Sequence, residues 1–392
     1  MSSPTTQKIR RHDLDWLRVI GVLLLVPFHS ALIFALGRQY VVYIKDTVQS
    51  DVLLKIAGFI YIWHMPLLFL IAGAATWFAL DVRGGRGYVR ERVLRLLIPA
   101  LVAFLTYIPF MTYIHWFGSE NPPLFLTHWQ GYFTFAGANL SGLDGKFTPA
   151  HLWFILFLFI FAVIALPLFL WLKRDAAFPV RERIAAWFAI PGVMFLPAVL
   201  FALLTLLPAL GDKNPFYYLG LFVFGFVLMS HPRIQETLDR FAPLALIVAL
   251  AATAGYYLPE IQRIRIDPDS TVGYAYGVVS ILCTWSWLLT MIGFGHRFLN
   301  RTSPALRYLS EAAFPVYLLH LPANTVIGWF VVQMDADPVV KYVIINLGTF
   351  ALTFAVYEVI RRVGFLRFAF GMKPRASSAP KIMPTPLIKQ SA

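Results

Sequence analysis

The sequence predicts an all-α fold, a polytopic membrane bundle of about ten transmembrane helices with both termini cytoplasmic. Three observations predict it. Hydrophobic residues make up 59% of the 392 positions and charged residues 14%, with a mean hydropathy of +0.68, where a soluble domain carries roughly one quarter charged residues. Apolar runs of 15 to 27 residues recur along the chain, and about 20 such residues span a bilayer. Basic residues are one-sided: with successive connections assigned to alternate faces, 24 Lys and Arg fall on the face of the termini and 8 on the other, which makes the first face cytoplasmic. The net charge of +13 is thus read as topology. A lipid bilayer is the expected partner and nucleic acid is not.

The first run, Trp16 to Leu36, carries two groups that a lipid-facing helix avoids. Arg18 and His29 are eleven positions apart, about 16 Å along a helix axis and nearly on one face. Counted from Trp16, His29 lies roughly 20 Å into a hydrocarbon core of about 30 Å, with Pro27 two residues earlier to loosen the backbone. An ionisable residue at that depth is a functional candidate; a structural hydrogen bond to a neighbouring helix is the competing reading. Asp15 precedes Arg18 by three residues and either orients it or interacts with the helix start. The run is too long for a cleavable signal and reads as a signal anchor.

The second run, Leu54 to Leu80, holds His64 near mid-depth, immediately before Met-Pro, as a substrate contact or a packed core residue. Ahead of the third run, Val93 to Trp116, the stretch RGGRGYVRERVLRLLIP crowds five arginines at its inner end. Arg92 and Arg95 project from neighbouring helical positions, where planar guanidinium forks clamp phosphates; a positive-inside anchor at lipid headgroups fits the same spacing. The long outer connection, Phe117 to Ala150, mixes aromatics with Gly and Pro and is expected to act as a lid or binding segment.

The fourth run, Leu152 to Leu172, opens beside His151 and Trp153, an arrangement suited to stacking a sugar or to anchoring at the interface. Ala185 to Leu207, Phe216 to Ser230 and Phe241 to Leu258 follow, the middle one being short for a span. Thr271 to Phe294 contains Cys283, the single cysteine, which excludes an intramolecular disulfide. Ala312 to Met334 carries Tyr317 and His320 three residues apart, lining a pocket or hydrogen-bonded structurally. In Val339 to Ile360, Glu358 is placed to pair with Arg361 and Arg362. No two histidines share a helix at i, i+4 spacing, so no metal site is expected. The chain divides into a cytoplasmic segment 1–14, a transmembrane domain 15–362 and a disordered cytoplasmic tail 363–392, rich in Pro, Ser and Lys.

Several of these segments resemble one family. Arg18, ten residues and His29 match the first-helix signature of the integral-membrane acyltransferase 3 family. Arg92-Val93-Leu94-Arg95 followed by Pro99 matches its Arg-x-x-Arg motif. HMPLLFLIAGAATW from His64, HLWFI from His151 and YLLHLP from Tyr317 follow in the family's order, so that the resemblance runs from about Arg11 to Arg362. The DWLR opening resembles shorter members that lack an added periplasmic domain.

The resemblance implies an O-acyltransferase of a bacterial inner membrane. It would take an acetyl or succinyl group from cytoplasmic acyl-CoA, a donor substrate and not a resident cofactor, to a carbohydrate or glycan hydroxyl at the periplasmic face. His29 would be the catalytic base, with Arg18, Arg92 and Arg95 binding the donor. Asp15, His64, His151, Trp153, Tyr317 and His320 would orient groups or line the pocket. The rival reading from another class is a multi-pass exporter of a glycan or lipid, although Asp and Glu fall almost wholly outside the apolar runs.

Overall fold

The structure, a computed structural model, describes residues 10–35, 43–117, 119–262, 264–267 and 269–374. Of these residues 76% are helical, and they contain no strand. The helices in order are α1 (His12–Leu23), α2 (Leu25–Leu32), α3 (Asp51–Arg92), α4 (Ile98–Leu105), α5 (Tyr107–Tyr113), α6 (Phe125–Tyr132), α7 (Trp153–Ile164) and α8 (Leu166–Leu172). They continue as α9 (Phe178–Phe188), α10 (Pro197–Thr205), α11 (Pro215–Leu228), α12 (Pro232–Ile261), α13 (Thr271–Leu299), α14 (Pro304–Val331), α15 (Pro338–Ile360) and α16 (Gly364–Ala369). Local chemistry sets the starts. Asn214, Ser270, Ser303 and Asp337 accept from the backbone amides of Tyr217, Gly273, Leu306 and Val339, and proline, which needs no amide partner, occupies the first turn of α10, α11, α12, α14 and α15.

Each of the ten expected apolar runs falls largely on helix among the described residues, but they do not make ten uninterrupted spans. Among the described residues six helices are long and apolar enough to cross a membrane, or up to eight if each of two bent pairs is one span. One of the six, Asp51–Leu105, has 55 residues and would extend about 80 Å if straight. It therefore contains both the second expected run and most of the third, divided at Gly84, whose φ of 64° and ψ of 176° suit only glycine. The fourth and fifth runs bend by 53° and 107°, the latter around Gly192 at φ 86°. The sixth, α11, is 14 residues long, short of a full crossing.

The depth of burial orders the bundle. In its most apolar stretch Asp51–Leu105 is 67% buried, whereas α12 and α15 are 22% and 28% buried, so α3 is central and α12 and α15 are peripheral. Ile247, Leu250 and Leu347 are exposed on those outer helices, as lipid contact requires. At the centre α3 and α11 run parallel, with Phe69 against Tyr218 and Trp77 against Phe226. They touch through Gly73 and Gly225: a Cβ on either would fall 1.8 Å or 1.9 Å from a carbonyl oxygen of the other helix. Small residues permit this close backbone approach.

At one end of the bundle the His12 amide donates to Asn300 Oδ1, Trp16 Nε1 to the Arg301 carbonyl and Arg11 to Gln235. This end carries Arg18 and is called the arginine face. At the opposite end a buried ion pair joins Lys341 to Asp46 at 2.8 Å. Of the tail expected from 363, the residues to 374 are described and include α16. Arg367 is buried there, donating to Glu311 and to the carbonyls of Arg361 and Lys373. The remainder of that expectation, like residues 1–9 of the N-terminal segment, lies outside the described residues.

Candidate active site

Two polar clusters occupy opposite ends of the first span. On the arginine face Arg18 donates to Asp15 Oδ1 at 3.0 Å, and Asp15 also accepts from Arg10. Arg92 lies over the Tyr88 ring at 4.7 Å, and Arg95 is 3.5 Å from Glu91, which also pairs with Arg83 at 3.1 Å. Arg18, Arg92 and Arg95 stand close enough to feel one another electrostatically. They come from two chain segments far apart in sequence.

The segment between Arg92 and Pro99 is a π-helical turn, Val93–Leu97, a local widening frequent at functional sites. The turn shifts Arg95 from the α-helical register that the sequence spacing implies. The C-terminal segment closes in behind it. Gly371, at φ 65°, passes so near that a Cβ there would be 2.9 Å from the Arg95 carbonyl oxygen, and Phe370 stacks on Tyr107. Arg92 Nε and the Tyr107 hydroxyl are buried with no protein partner.

At the other end four histidines from four different chain segments converge. The His29 ring is 5.2 Å from His320, and His320 is 5.0 Å from His151. Phe28 lies 5.0 Å from His29 and stacks on His64 at 6.3 Å. Three of the rings are pinned to backbone carbonyls: His64 Nε2 donates to Gly21 at 2.5 Å, His151 Nε2 to Leu318 at 3.1 Å and His320 Nδ1 to Tyr317 at 2.6 Å. A carbonyl only accepts, so each of those nitrogens carries a proton, and in the neutral ring the other nitrogen is an acceptor. His151 Nδ1 and His320 Nε2 are such acceptors, buried and unpartnered.

His64, His151 and His320 are buried, whereas His29 keeps accessible surface. The partly accessible imidazole is therefore ringed by three whose orientation is fixed by backbone carbonyls. His151 is a buried helix-to-helix tie and not an exposed cap, as an interfacial position would imply. Tyr317 donates its hydroxyl to the His151 carbonyl, which sets the entry of α7. The preceding residue, Ala150, adopts φ 46°, costly for a side chain with a Cβ. Thr148 holds it there, accepting from the Ala150 amide at 3.0 Å and donating to the Leu140 carbonyl at 2.6 Å.

The connection 117–150, expected as a loose lid, is largely braced. It contains α6, and Tyr132 and Tyr43 donate to the carbonyls of Thr148 and Ser141. His128 Nε2 reaches Pro109 O at 3.1 Å and Thr112 Oγ1 at 3.0 Å. Burial holds the His128 pKa below the ordinary histidine value, against the opposing effect of that carbonyl.

Several residues around the site carry no signature in the sequence. Asn324 donates to Ser30, the neighbour of His29, at 2.7 Å, joining α14 to α2. Tyr61 stacks on Phe28 at 6.3 Å, and Lys213 Nζ lies 5.7 Å from the Tyr61 ring and 5.3 Å from Trp153. The one available hint for Lys213 is its charge, a cation on the face where basic residues are scarce. Among the described residues no group of three or more His, Cys, Asp or Glu has the geometry to hold a metal ion. Cys283 is buried, within 3.3 Å of Thr253 Oγ1, and Glu358 pairs with Arg361 and Arg362.

Comparison with known proteins places this geometry in context. Residues 11–358 match the family model described as "Acyltransferase domain". Proteins named Glucans biosynthesis protein C from Salmonella heidelberg (strain SL476), Salmonella typhi and Salmonella typhimurium are each 24% identical over 383 residues, covering 93% of this chain and 95% of theirs. No solved structure matches the chain significantly.

Proposed function

Since this chain belongs to the integral-membrane acyltransferase 3 family and is thus an O-acyltransferase, we propose that it draws an acyl group from cytoplasmic acyl-CoA and places it on a carbohydrate or glycan hydroxyl at the periplasmic face. The arginine face is the cytoplasmic one, in keeping with the 24 to 8 division of basic residues. Acetyl and succinyl groups are both admitted as cargo. The bacterial inner membrane is the setting.

Arg92 and Arg95 take the phosphates of CoA, with Arg18 completing the basic rim. Unpartnered Arg92 Nε supports this, because a buried guanidinium donor without an acceptor is rare in a native interior. Asp15 and Glu91 fix Arg18 and Arg95 in place. The pantetheine arm then passes the Tyr107 hydroxyl, also unpartnered, toward the imidazole cluster about 16 Å further along the first span.

His29 is the general base. Its free nitrogen takes the proton of the acceptor hydroxyl as that oxygen attacks the thioester carbonyl; the tetrahedral intermediate collapses to ester and CoA thiolate, and the imidazolium returns its proton to the sulfur. His64, His151 and His320 shape the cavity as neutral dipoles, and Tyr317 positions His151. The observation that carries this reading is the combination of access and surroundings: His29 alone among the four histidines of the cluster is partly accessible, the other three being buried. The test is sidedness. In sealed vesicles of known orientation, labelled acyl-CoA supplied on the cytoplasmic side should label acceptor on the opposite side, and Arg92→Gln should raise the KM for acyl-CoA. Donor use from the periplasmic side would overturn the arrangement.

A further inference from the structure

Above the histidine cluster, the connection from α10 to α11 makes a tight turn that delivers one ammonium group to two aromatic faces. Leu210 and Lys213 exchange backbone hydrogen bonds of 2.9 Å and 3.2 Å, and Gly211 supplies the required φ of 63°. Asn214 anchors the turn from below. Its side-chain amide donates to the carbonyls of Leu204, Thr205 and Leu207, while its oxygen caps α11. So many fixed bonds hold Lys213 in place, with its ammonium shared between the rings of Tyr61 and Trp153 and paired with Asp212 at 2.5 Å.

Both rings lie one side chain away from the imidazoles. Tyr61 stacks on Phe28, the neighbour of His29, and Trp153 follows His151 by two residues and packs 5.2 Å from Tyr218. Lys213 is close enough to His29 to interact with it electrostatically. The arrangement combines two aromatic faces with an adjacent cation and anion, one side chain removed from His29 and His151.

We propose that Tyr61, Trp153 and the Asp212–Lys213 pair form the acceptor subsite, built for an uncharged hexose unit. Such a ring offers apolar C–H faces to the aromatic walls and hydroxyls to the charged pair. A lipid chain would leave the ammonium and carboxylate desolvated without compensation, and a strongly anionic acceptor would meet Asp212. On binding, the ammonium exchanges ring faces for sugar hydroxyls, so that little is lost in desolvating it. The inference rests on the acyltransferase mechanism above and specifies its acceptor.

The test uses the full-length protein in nanodiscs, linear glucose oligosaccharides as acceptors and labelled acetyl-CoA and succinyl-CoA as donors. Lys213→Met keeps the aliphatic stem on an exposed turn. It should raise the KM for the oligosaccharide roughly tenfold or more, as loss of a charged hydrogen-bond donor implies, with kcat and CoA affinity little changed; Lys213→Arg should restore part of the loss. Trp153→Phe should raise the same KM. An unchanged oligosaccharide KM in both variants, or a parallel loss of CoA affinity, would overturn the subsite. Wild-type protein that binds CoA but neither binds nor acylates any glucose oligosaccharide would overturn the hexose assignment alone, whereas wild-type protein that neither binds nor consumes acyl-CoA would instead remove the mechanism on which it rests.

Discussion

The rings of His29 and His320 stand 5.2 Å apart with their planes inclined at 40°, and the proton on His320 Nδ1 is committed to the Tyr317 carbonyl. Nε2 of His320 is left without a partner deep in the bundle, beside the imidazole of this cluster that is partly accessible. The pair joins the first run of the sequence to the ninth, and the Tyr317 carbonyl fixes Nδ1 as the donor nitrogen of His320.

That relation predicts the behaviour of His320→Asn. The asparagine amide can still donate to the Tyr317 carbonyl, but the acceptor at Nε2 disappears. The kcat for acyl transfer should fall about tenfold, the scale of one lost polar contact in a buried network, with a thermal transition close to wild type. Unaltered kcat would show that the Nε2 acceptor takes no part.

The contact between Gly73 and Gly225 predicts an all-or-none effect. A methyl group at either position would overlap a carbonyl oxygen of the facing helix at under 2 Å, and no flexible side chain is there to yield. Gly73→Ala or Gly225→Ala should cost more than the roughly 1–3 kcal/mol of ordinary overpacking and abolish recovery of monodisperse protein. Gly277→Ala, where a Cβ would meet nothing within 4 Å, should behave as wild type.

The ion pair of Asp46 and Lys341 is almost fully buried, at 0% and 5% side-chain exposure. Lys341→Met would strand a buried carboxylate and should cost about 3–5 kcal/mol, whereas Lys341→Met combined with Asp46→Asn should recover much of the loss. Thermal unfolding of the three proteins in one detergent measures both effects. Equal stability of the single and double variants would contradict the pairing.

His128 predicts a pH dependence of the braced connection between α5 and α7. Burial lowers its pKa in the folded protein, so the unfolded segment binds more protons below the ordinary value of 6.5. The sign follows directly: the stabilisation is complete above that value and is lost as pH falls from it toward the folded pKa. Protease nicking of residues 117–150 should therefore accelerate below about pH 6.5, and His128→Gln should flatten the response.

Much of this was legible in the sequence because lipid imposes a simple rule, that apolar runs mark helices and polar residues within them mark sites. Spacing alone marks Arg18, His29, Arg92 and Arg95 as candidates. Helix breaks were harder to see: Gly84 and Gly192 each resemble an ordinary glycine until their positive φ values are known. The convergence of His64, His151 and His320 on His29 depends on which helices pack together, and no single run encodes that. Lys213 and Asn324 are not legible for the same reason, since the groups that tie them to the cluster, Tyr61 and Trp153 for Lys213 and Ser30 for Asn324, lie far away in the chain.

The most direct test of His29 as the base is single-turnover acyl transfer by His29→Gln in nanodiscs, with CoA affinity measured in the same preparation. A positioned base contributes typically 10²- to 10⁴-fold. The expected result is a transfer rate reduced by at least about 100-fold with CoA affinity unchanged. Transfer at the wild-type rate with bound donor would contradict the account.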